Sequence, residues 1–167
     1  MSVEVEIEHL ARQLVSLCSE RGLTVSTAES CTAGMVASAI ADIPGASEVL
    51  RGGAVTYCDE IKHRVLGVRI ATLEQYTAVS YQTAREMADG SRRLFESSLA
   101  VSLTGYAGPG GGTSADPAGT VYIGLSTPEG ITADRCLFSG GRNDVRKQAA
   151  ARALKLLIRS AQSLYSE

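Results

Sequence analysis

Residues 44–62 read PGASEVLRGGAVTYCDEIK and combine a turn, a strand and the start of a helix. Proline and glycine predict the turn, and residues 51–57 (RGGAVTY) predict the strand, although two glycines weaken it. Residues 59–66 predict a helix with Asp59 as its N-cap and Lys62 in its first turn. A strand that leads into a helix is typical of α/β proteins, in which reactive side chains collect outside the carboxyl ends of the strands.

The rest of the chain continues this alternation. Apolar side chains at helical spacing predict helices, and short runs rich in β-branched residues predict strands. The tight turn at residues 128–130 makes the last two strands an antiparallel pair. We therefore expect one domain over residues 1–167, an α/β fold with a mixed, mostly parallel sheet of about five strands covered on both faces. The other predicted helices lie at residues 3–20, 35–41 and 143–164, with a short one within 71–80 and a longer one that Ser80 caps, and the other predicted strands lie at residues 23–28, 99–104, 120–126 and 131–138.

The composition narrows the class of protein. Hydrophobic residues make up 44% and charged residues 20% of the 167 residues, which indicates a folded chain. The net charge is −2 without a long basic run, so we do not expect nucleic acid as a main partner. The four cysteines show no CxxC spacing and the chain has 2 histidines, so we expect no metal site. Without a signal-peptide pattern or an apolar run of about 20 residues, a cytoplasmic protein that does not enter a membrane is expected.

Three further segments carry polar or glycine-rich patterns next to predicted elements. The turn at residues 29–34 (ESCTAG) follows a strand and starts a helix, so its N–H groups favour an anion or a developing oxyanion. Cys31 is either a nucleophile or a small buried residue, and Glu29 is expected to bind a ligand or orient a neighbour. The loop at residues 104–113 (TGYAGPGGGT) lacks the P-loop ending and a GxGxxG pattern, and we interpret it as a ligand cradle rather than a free surface loop. At the start of the last helix, Arg142 is either a phosphate contact or an ordinary surface arginine.

Ser47, Tyr57 and Lys62 form the predicted reactive group. A serine hydroxyl needs a base to become a nucleophile, and lysine can act as that base only when it is uncharged. Its pKa must therefore fall from about 10.4 through burial or a cationic neighbour. The alternative reading is a turn serine, a strand-end tyrosine and a solvated lysine. His63, on another face of the same helix, is a rival base.

Taken together, these segments resemble the CinA C-terminal domain family, which includes stand-alone nicotinamide-nucleotide amidases. The resemblance implies a three-layer α/β/α sandwich. It also implies hydrolysis of the carboxamide of nicotinamide mononucleotide to nicotinate mononucleotide and ammonia, without a metal or cofactor. The motifs that carry it are TAESCTAG (27–34), PGASEVLRGGAVTYCDEIKHRVLGV (44–68), LTGYAGPGGG (103–112), PAGTVYIGL (117–125) and FSGGRNDVRKQA (138–149).

The resemblance also implies roles for individual residues. The nucleophile of the family falls on Ser47, its lysine base on Lys62 and its assisting tyrosine on Tyr57. Tyr106 and Cys58 depart from the family pattern at the border of the expected pocket. The implied binding residues are Glu29, Ser30, Cys31, Thr32, Thr104, Gly105, Ala107, Gly108, Gly111 and Gly112, with Arg142 and Arg146 as phosphate contacts.

Three functions follow from this reading. The leading prediction is a nicotinamide mononucleotide amidohydrolase with a Ser-Lys(-Tyr) mechanism and a small-molecule substrate. The second is a non-catalytic nucleotide-binding regulatory module of the competence/damage-inducible type. The third is a thiol hydrolase that uses Cys31. We also expect a homo-oligomer, because small domains of this kind often pair.

Overall fold

The computed structural model describes residues 1–164, which form six α-helices and five strands. The helices are α1 (Val3–Arg21), α2 (Met35–Ala41), α3 (Asp59–Leu66), α4 (Ile70–Tyr76), α5 (Tyr81–Phe95) and α6 (Arg142–Ser163). The strands are β1 (Val25–Glu29), β2 (Leu50–Val55), β3 (Leu99–Gly105), β4 (Thr120–Thr127) and β5 (Gly130–Leu137), and a short 3-10 helix at Ala46–Glu48 precedes β2.

The strands form one mixed sheet in the order β2-β1-β3-β4-β5. β1 pairs in parallel with β2 and β3, whereas β4 pairs antiparallel with β3 and with β5. Only β4 therefore runs against the other four strands, and the predicted mixed, mostly parallel sheet is confirmed. α1, α2 and α6 cover one face, while α5 covers the other together with α3 and α4, which gives three layers.

Local signals in the sequence set the ends of several helices. Gly22 ends α1 in the left-handed conformation (φ 63°), as a C-terminal glycine does. Ser80 caps α5 by accepting a hydrogen bond from the Thr83 N–H at 3.1 Å. At α3 the prediction was wrong by one residue: Cys58 is the N-cap, and Asp59 is the first helical residue. An aspartate in the first helical turn is stabilised there by the helix dipole.

The two faces of the sheet are packed differently. On the α1/α2/α6 face, alternate positions of β3 contribute large apolar side chains, among them Val101 and Leu103, to one continuous core. On the α5 face the sheet presents small and polar residues instead, and the Ser102 hydroxyl donates to the Ala84 carbonyl of α5 at 2.6 Å. A Cβ at Gly124 would lie 2.2 Å from that same carbonyl oxygen, so α5 can approach β4 this closely only over a glycine. α5 therefore packs directly on the sheet and fixes its own position relative to β3 and β4.

No helix among residues 1–164 combines the length and the apolar character that crossing a membrane requires.

Candidate functional site

A cleft of about 240 Å³ lies outside the carboxyl ends of β1, β2 and β3. This is where the parallel part of an α/β sheet offers helix starts and loops to a ligand. The predicted site residues that line it are Ser30, Cys31, Tyr57, Lys62, Thr104, Gly105, Ala107, Gly108 and Arg142, and its other lining residues are Ala78, Val79, Tyr106 and Gly110.

Lys62 and Ser30 form a buried pair at the base of this cleft. The first turn of α3 carries Lys62 over the end of β2, and Ser30 directly follows the neighbouring strand β1. The side chain of Lys62 is 1% exposed, and its Nζ lies 2.9 Å from Ser30 Oγ. The other neighbours of Nζ are two backbone carbonyl oxygens, that of Thr56 at 2.8 Å and that of Tyr57 at 3.3 Å.

Burial lowers the pKa of the Lys62 amine, because a low-dielectric environment disfavours its charged form. The negative charge of Asp59 opposes this shift and raises the pKa, but burial has the larger effect. Among residues 1–164, Lys62 forms no ion pair with a carboxylate within 4.0 Å. The pKa of Lys62 is therefore shifted in the direction that a lysine base requires.

The three neighbours of Nζ suit both protonation states of the amine. An ammonium has three N–H groups, and all three can be donated, to two carbonyls and to the Ser30 hydroxyl. A neutral amine has two N–H groups and one lone pair. If its N–H groups stay on the carbonyls, which can only accept, the lone pair faces Ser30 and can accept the hydroxyl proton. A proton can thus pass from Ser30 to Lys62 without any side chain moving.

Ser47 does not share this pocket, so the prediction that it lies beside Lys62 is wrong. It is exposed in the 3-10 helix that precedes β2, whereas Lys62 follows β2. The parallel register pairs Val25 with Leu50 at one end of the strands and Glu29 with Val55 at the other. Ser47 therefore lies at the amino end of the strand, and the 6 residues of β2 alone span roughly 20 Å.

Tyr57 reaches the rim of the cleft rather than its base. The side chain is 57% exposed, and its phenol oxygen accepts a hydrogen bond from Arg142 at 2.9 Å. Arg142 also donates to the Gly108 carbonyl at 2.9 Å, so it connects the end of β2 with the glycine-rich loop. Tyr57 contacts Lys62 through its backbone carbonyl. Its phenol, which was predicted to assist the reaction, forms no hydrogen bond with Ser30 or Lys62 among the described residues.

Glu29 and Thr32 lie behind the cleft, where they hold the start of α2. The fully buried carboxylate of Glu29 accepts hydrogen bonds from the hydroxyls of Thr27 and Thr32 at 3.1 and 2.7 Å. It also accepts the N–H groups of Val36 at 2.9 Å and Ala37 at 3.1 Å. These four donors occupy both oxygens of the carboxylate, so Glu29 orients its neighbours, which is one of its two predicted roles. Neither Glu29 nor Thr32 lines the cleft.

The two rival reactive groups lack the properties that their roles require. Burial raises the pKa of the Cys31 thiol to about 11, so Cys31 stays protonated near neutral pH and is a poor nucleophile. His63 is exposed, and its Nδ1 lies 2.8 Å from the Val68 carbonyl oxygen, away from the cleft. The structure therefore favours neither Cys31 as nucleophile nor His63 as base.

The glycine-rich loop forms one wall of the cleft. The Thr104 hydroxyl donates to the Ala78 carbonyl at 2.8 Å and so ties the end of β3 to the segment before α5. Within the described chain, the backbone N–H groups of residues 107, 108 and 110–112 donate to no other residue, and such loop N–H groups can bind an anion. Gly111 and Gly112 do not line the cleft, unlike the predicted Gly105, Ala107 and Gly108. At Gly112, with φ +87°, a Cβ would lie 2.8 Å from the Ala118 nitrogen, so this glycine has a structural role in the loop.

Arg146 contacts the back of the 30–34 turn instead of the cleft. Its Nε donates to the Cys31 carbonyl at 2.9 Å, and a terminal nitrogen donates to the Thr32 carbonyl at 3.2 Å. Together with Thr32 it borders a second, larger groove of about 630 Å³ between α1, α2 and α6. Neither Ser30 nor Lys62 lines this groove.

Sequence reasoning missed three residues of the site, Thr56, Ala78 and Val79. The Thr56 carbonyl is the shortest contact of Nζ, and Ala78 and Val79 line the cleft from the segment before α5. A signal for Thr56 was present, because it follows β2 as Ser30 follows the adjacent parallel strand β1. No comparable pattern marks Ala78 or Val79. The part of the chain that the structure describes contains no cluster of three or more His, Cys, Asp or Glu residues that could hold a metal ion.

The chain matches the CinA C-terminal domain family over residues 7–161. A CinA-like protein of Thermotoga neapolitana is 43% identical over 150 residues, which are 90% of this chain and 36% of that protein. The competence/damage inducible protein CihA of Agrobacterium tumefaciens has the same fold, with a TM-score of 0.90 and 40% identity over 92% of this chain and 94% of that one. The competence damage-inducible protein A (ComA) of Klebsiella pneumoniae matches with a TM-score of 0.91 and 32% identity over 96% of this chain and 99% of that one.

The chain spans 36–38% of the length of five curated relatives that it matches. The matched region nevertheless includes every strand of the sheet and every residue of the cleft. The protein is a member of the CinA C-terminal domain family.

Proposed function

We propose that the protein is an amidohydrolase that removes ammonia from the carboxamide of nicotinamide mononucleotide, with Ser30 as nucleophile and Lys62 as general base. The observation that carries this proposal is the contact of 2.9 Å between the buried Nζ and Ser30 Oγ, in a cleft at the carboxyl ends of the parallel strands. The nucleotide substrate comes from the family resemblance, and the geometry supports the reaction class.

The reaction begins with proton transfer from the Ser30 hydroxyl to the neutral amine of Lys62. The Ser30 oxygen attacks the carboxamide carbon, and the carbonyl oxygen becomes an oxyanion. The ammonium of Lys62 then gives its proton to the amide nitrogen, the C–N bond breaks and ammonia leaves. Water attacks the resulting ester of Ser30, with Lys62 again as the base, and nicotinate mononucleotide is released.

The same cleft offers groups for the rest of the nucleotide. The N–H groups of Ala107, Gly108 and Gly110, which have no acceptor among residues 1–164, and the guanidinium of Arg142 supply donors and positive charge at its rim, where a 5′-phosphate would bind. Binding energy from this remote phosphate can then orient the carboxamide at Ser30. This division places the phosphate at the rim and the reacting carbon at the base.

The test is ammonia release from nicotinamide mononucleotide by wild type and single variants. Ser30→Ala should lower kcat by at least about a thousandfold, because the nucleophile is lost. Ser47→Ala is the matched control, since Ser47 is exposed at the other end of β2, and we expect its kcat to stay within twofold of wild type. Hydroxylamine should trap the acyl group from Ser30 in wild type as a hydroxamate. Near-normal turnover of a folded Ser30→Ala variant would refute this assignment.

A second candidate is a nucleotide-binding regulatory module without turnover. The names of the Agrobacterium and Klebsiella relatives refer to competence and damage induction, and the free loop N–H groups would suit a nucleotide phosphate without catalysis. The buried lysine argues against it, because burying an amine costs free energy that pure binding does not require. Calorimetry that detects tight binding of the mononucleotide, together with no ammonia release, would favour this second candidate.

A further inference from the structure

We propose that the ring of Tyr106 is a specificity-determining group of the cleft, which selects amides carried on a positively charged aromatic ring over their neutral counterparts. The inference rests on the proposed function, because the pyridine nitrogen of nicotinamide mononucleotide is bonded to ribose and carries a permanent positive charge. It goes beyond that function by naming the side chain that recognises this charge.

The cleft has the size of the ring that carries the carboxamide. Its volume of about 240 Å³ is below the roughly 300–1,000 Å³ of pockets that enclose drug-sized ligands. With the phosphate at the rim beside Arg142 and the carboxamide carbon at Ser30, the pyridine ring occupies the space between them. A ring bound in so small a space contacts the side chains that line it, and Tyr106 is one of them.

No carboxylate lines the cleft to compensate the charge of such a ring. The described residues around it include no aspartate or glutamate, and two of them, Lys62 and Arg142, are basic. Glu29 lies behind the cleft, where its carboxylate already accepts four hydrogen bonds. Asp59 is exposed and does not line the cleft either. The face of an aromatic ring, whose π electrons attract a cation, is therefore the partner that the cleft offers to a positive ring.

Of the two tyrosines that line the cleft, Tyr106 has the better environment for this contact. Tyr57 is 57% exposed, and its hydroxyl accepts a hydrogen bond from the guanidinium of Arg142, which places another positive charge at the edge of its ring. Tyr106 is half-buried. Because the attraction between a cation and an aromatic face is stronger where water is excluded, Tyr106 is the tyrosine that we assign.

The position of Tyr106 is fixed before a ligand binds. Its N–H donates to the Thr120 carbonyl at 2.9 Å, and its carbonyl accepts the Gly119 N–H at 2.6 Å, so its main chain is tied to the start of β4. Its side chain packs against the buried cluster that contains Val79. Gly111 passes so close that a Cβ there would lie 3.3 Å from Cδ1 of the ring. A ring that is already held in place loses little conformational entropy on binding.

The first experiment compares two amides of the same shape that differ in charge, nicotinamide methylated at its ring nitrogen, a cation, and meta-methylbenzamide, which is neutral. Calorimetry on the Ser30→Ala variant gives their Kd values without consumption of either amide. We expect the cation to bind about 2- to 30-fold more tightly, which is the range of a cation–π contact at a partly buried ring. Equal affinities, or tighter binding of the neutral amide, would overturn the proposal.

Substitutions in the same background assign the preference to one ring. Tyr106→Leu should bring the ratio of the two Kd values close to one, while binding of the neutral amide shows that the variant is folded. Tyr106→Phe should keep the preference, because the Tyr106 hydroxyl forms no hydrogen bond among residues 1–164. Tyr76→Leu is the matched control, since Tyr76 is an exposed tyrosine at the end of α4 that does not line the cleft. A preference that disappears in Tyr57→Leu but persists in Tyr106→Leu would overturn the assignment. If Tyr106→Leu does not fold, the ratio in the protein with Tyr106 intact still decides.

The second experiment measures ammonia release from nicotinamide mononucleotide. Tyr106→Leu should raise KM about 2- to 30-fold with little change in kcat, because the ring keeps its charge from the bound substrate to the transition state. A fall in kcat at unchanged KM would contradict charge recognition by Tyr106. If the cation is preferred but no ammonia is released from the mononucleotide, the proposed function fails and the charge recognition stands. If ammonia is released but the cation is not preferred, the proposed function stands and this inference fails.

Discussion

Replacing Asp59 with Asn should move the acid limb of the pH–rate profile to lower pH. Asp59 is the first residue of α3, and its negative charge raises the pKa of Lys62 against the larger, opposite effect of burial. Removing this charge lowers the pKa further, so Lys62 loses its proton at a lower pH. Since only the neutral amine can act as the base, kcat/KM should rise at every pH below the pKa of Lys62 in the wild type.

The size of this effect follows from the position of Asp59 in the helix. Residues three apart in a helix have Cβ atoms about 5–6 Å apart, so we take the charges to be about 7 Å apart. Their attraction is then about 0.6 kcal/mol at the dielectric constant of water and about 2.4 kcal/mol at an effective value of 20. Asp59 is exposed, which favours the lower figure. With 1.36 kcal/mol per tenfold change, Asp59→Asn should raise kcat/KM near neutral pH by about three- to tenfold.

The assay is ammonia release from nicotinamide mononucleotide measured from about pH 5.5 to 10. Glu60→Gln is the matched control, because Glu60 is the next carboxylate of α3 but pairs with Arg64 at 3.2 Å. We expect its profile to coincide with that of wild type. An acid limb that stays in place in Asp59→Asn, or that moves to higher pH, would mean that the titrating group is not Lys62.

Three further substitutions test other parts of the structure. Glu29→Gln should lower the free energy of unfolding in urea by about 2–4 kcal/mol, because the amide group faces buried donors with one acceptor oxygen fewer. Gly53→Ala should lower the free energy of unfolding by about 1–3 kcal/mol, since its Cβ would lie 2.5 Å from Thr27 Oγ1. Gly110→Ala is the control, because a Cβ there would meet nothing within 4 Å and should change stability little. Cys31→Ser should keep kcat within a few-fold of wild type. Iodoacetamide should inactivate wild type only slowly at pH 7, because burial raises the pKa of the Cys31 thiol to about 11. Fast inactivation would contradict a protonated thiol.

The helices were predictable from the sequence because their signals are local. The predicted range 59–66 coincides with α3, and the Ser80 cap and the Gly22 end are where the pattern indicates. The strands were predicted to within about two residues, since β-branched runs mark their existence better than their ends. The short 3-10 helix before β2 was missed, and its three residues carry no periodic pattern.

The residues of the site were predictable where they follow the carboxyl ends of parallel strands. Residues that follow parallel strands meet at one edge of the sheet, and this rule correctly brings Ser30, Tyr57 and Lys62 to the same cleft. The same rule excludes Ser47, because it precedes β2 and so lies at the amino end of that strand. The direction of the Glu29 carboxylate could not be predicted, because it depends on where α2 begins in space and not on the sequence around Glu29.

Two of the three partners of the Lys62 amine are main-chain oxygens, at positions 56 and 57. Every amino acid supplies such an oxygen, so these two contacts of the amine do not depend on the side chains at positions 56 and 57. An insertion or deletion between β2 and α3 would shift both oxygens relative to the helix that carries Lys62. The length of this link, more than its side-chain chemistry, therefore determines whether the amine finds its two acceptors.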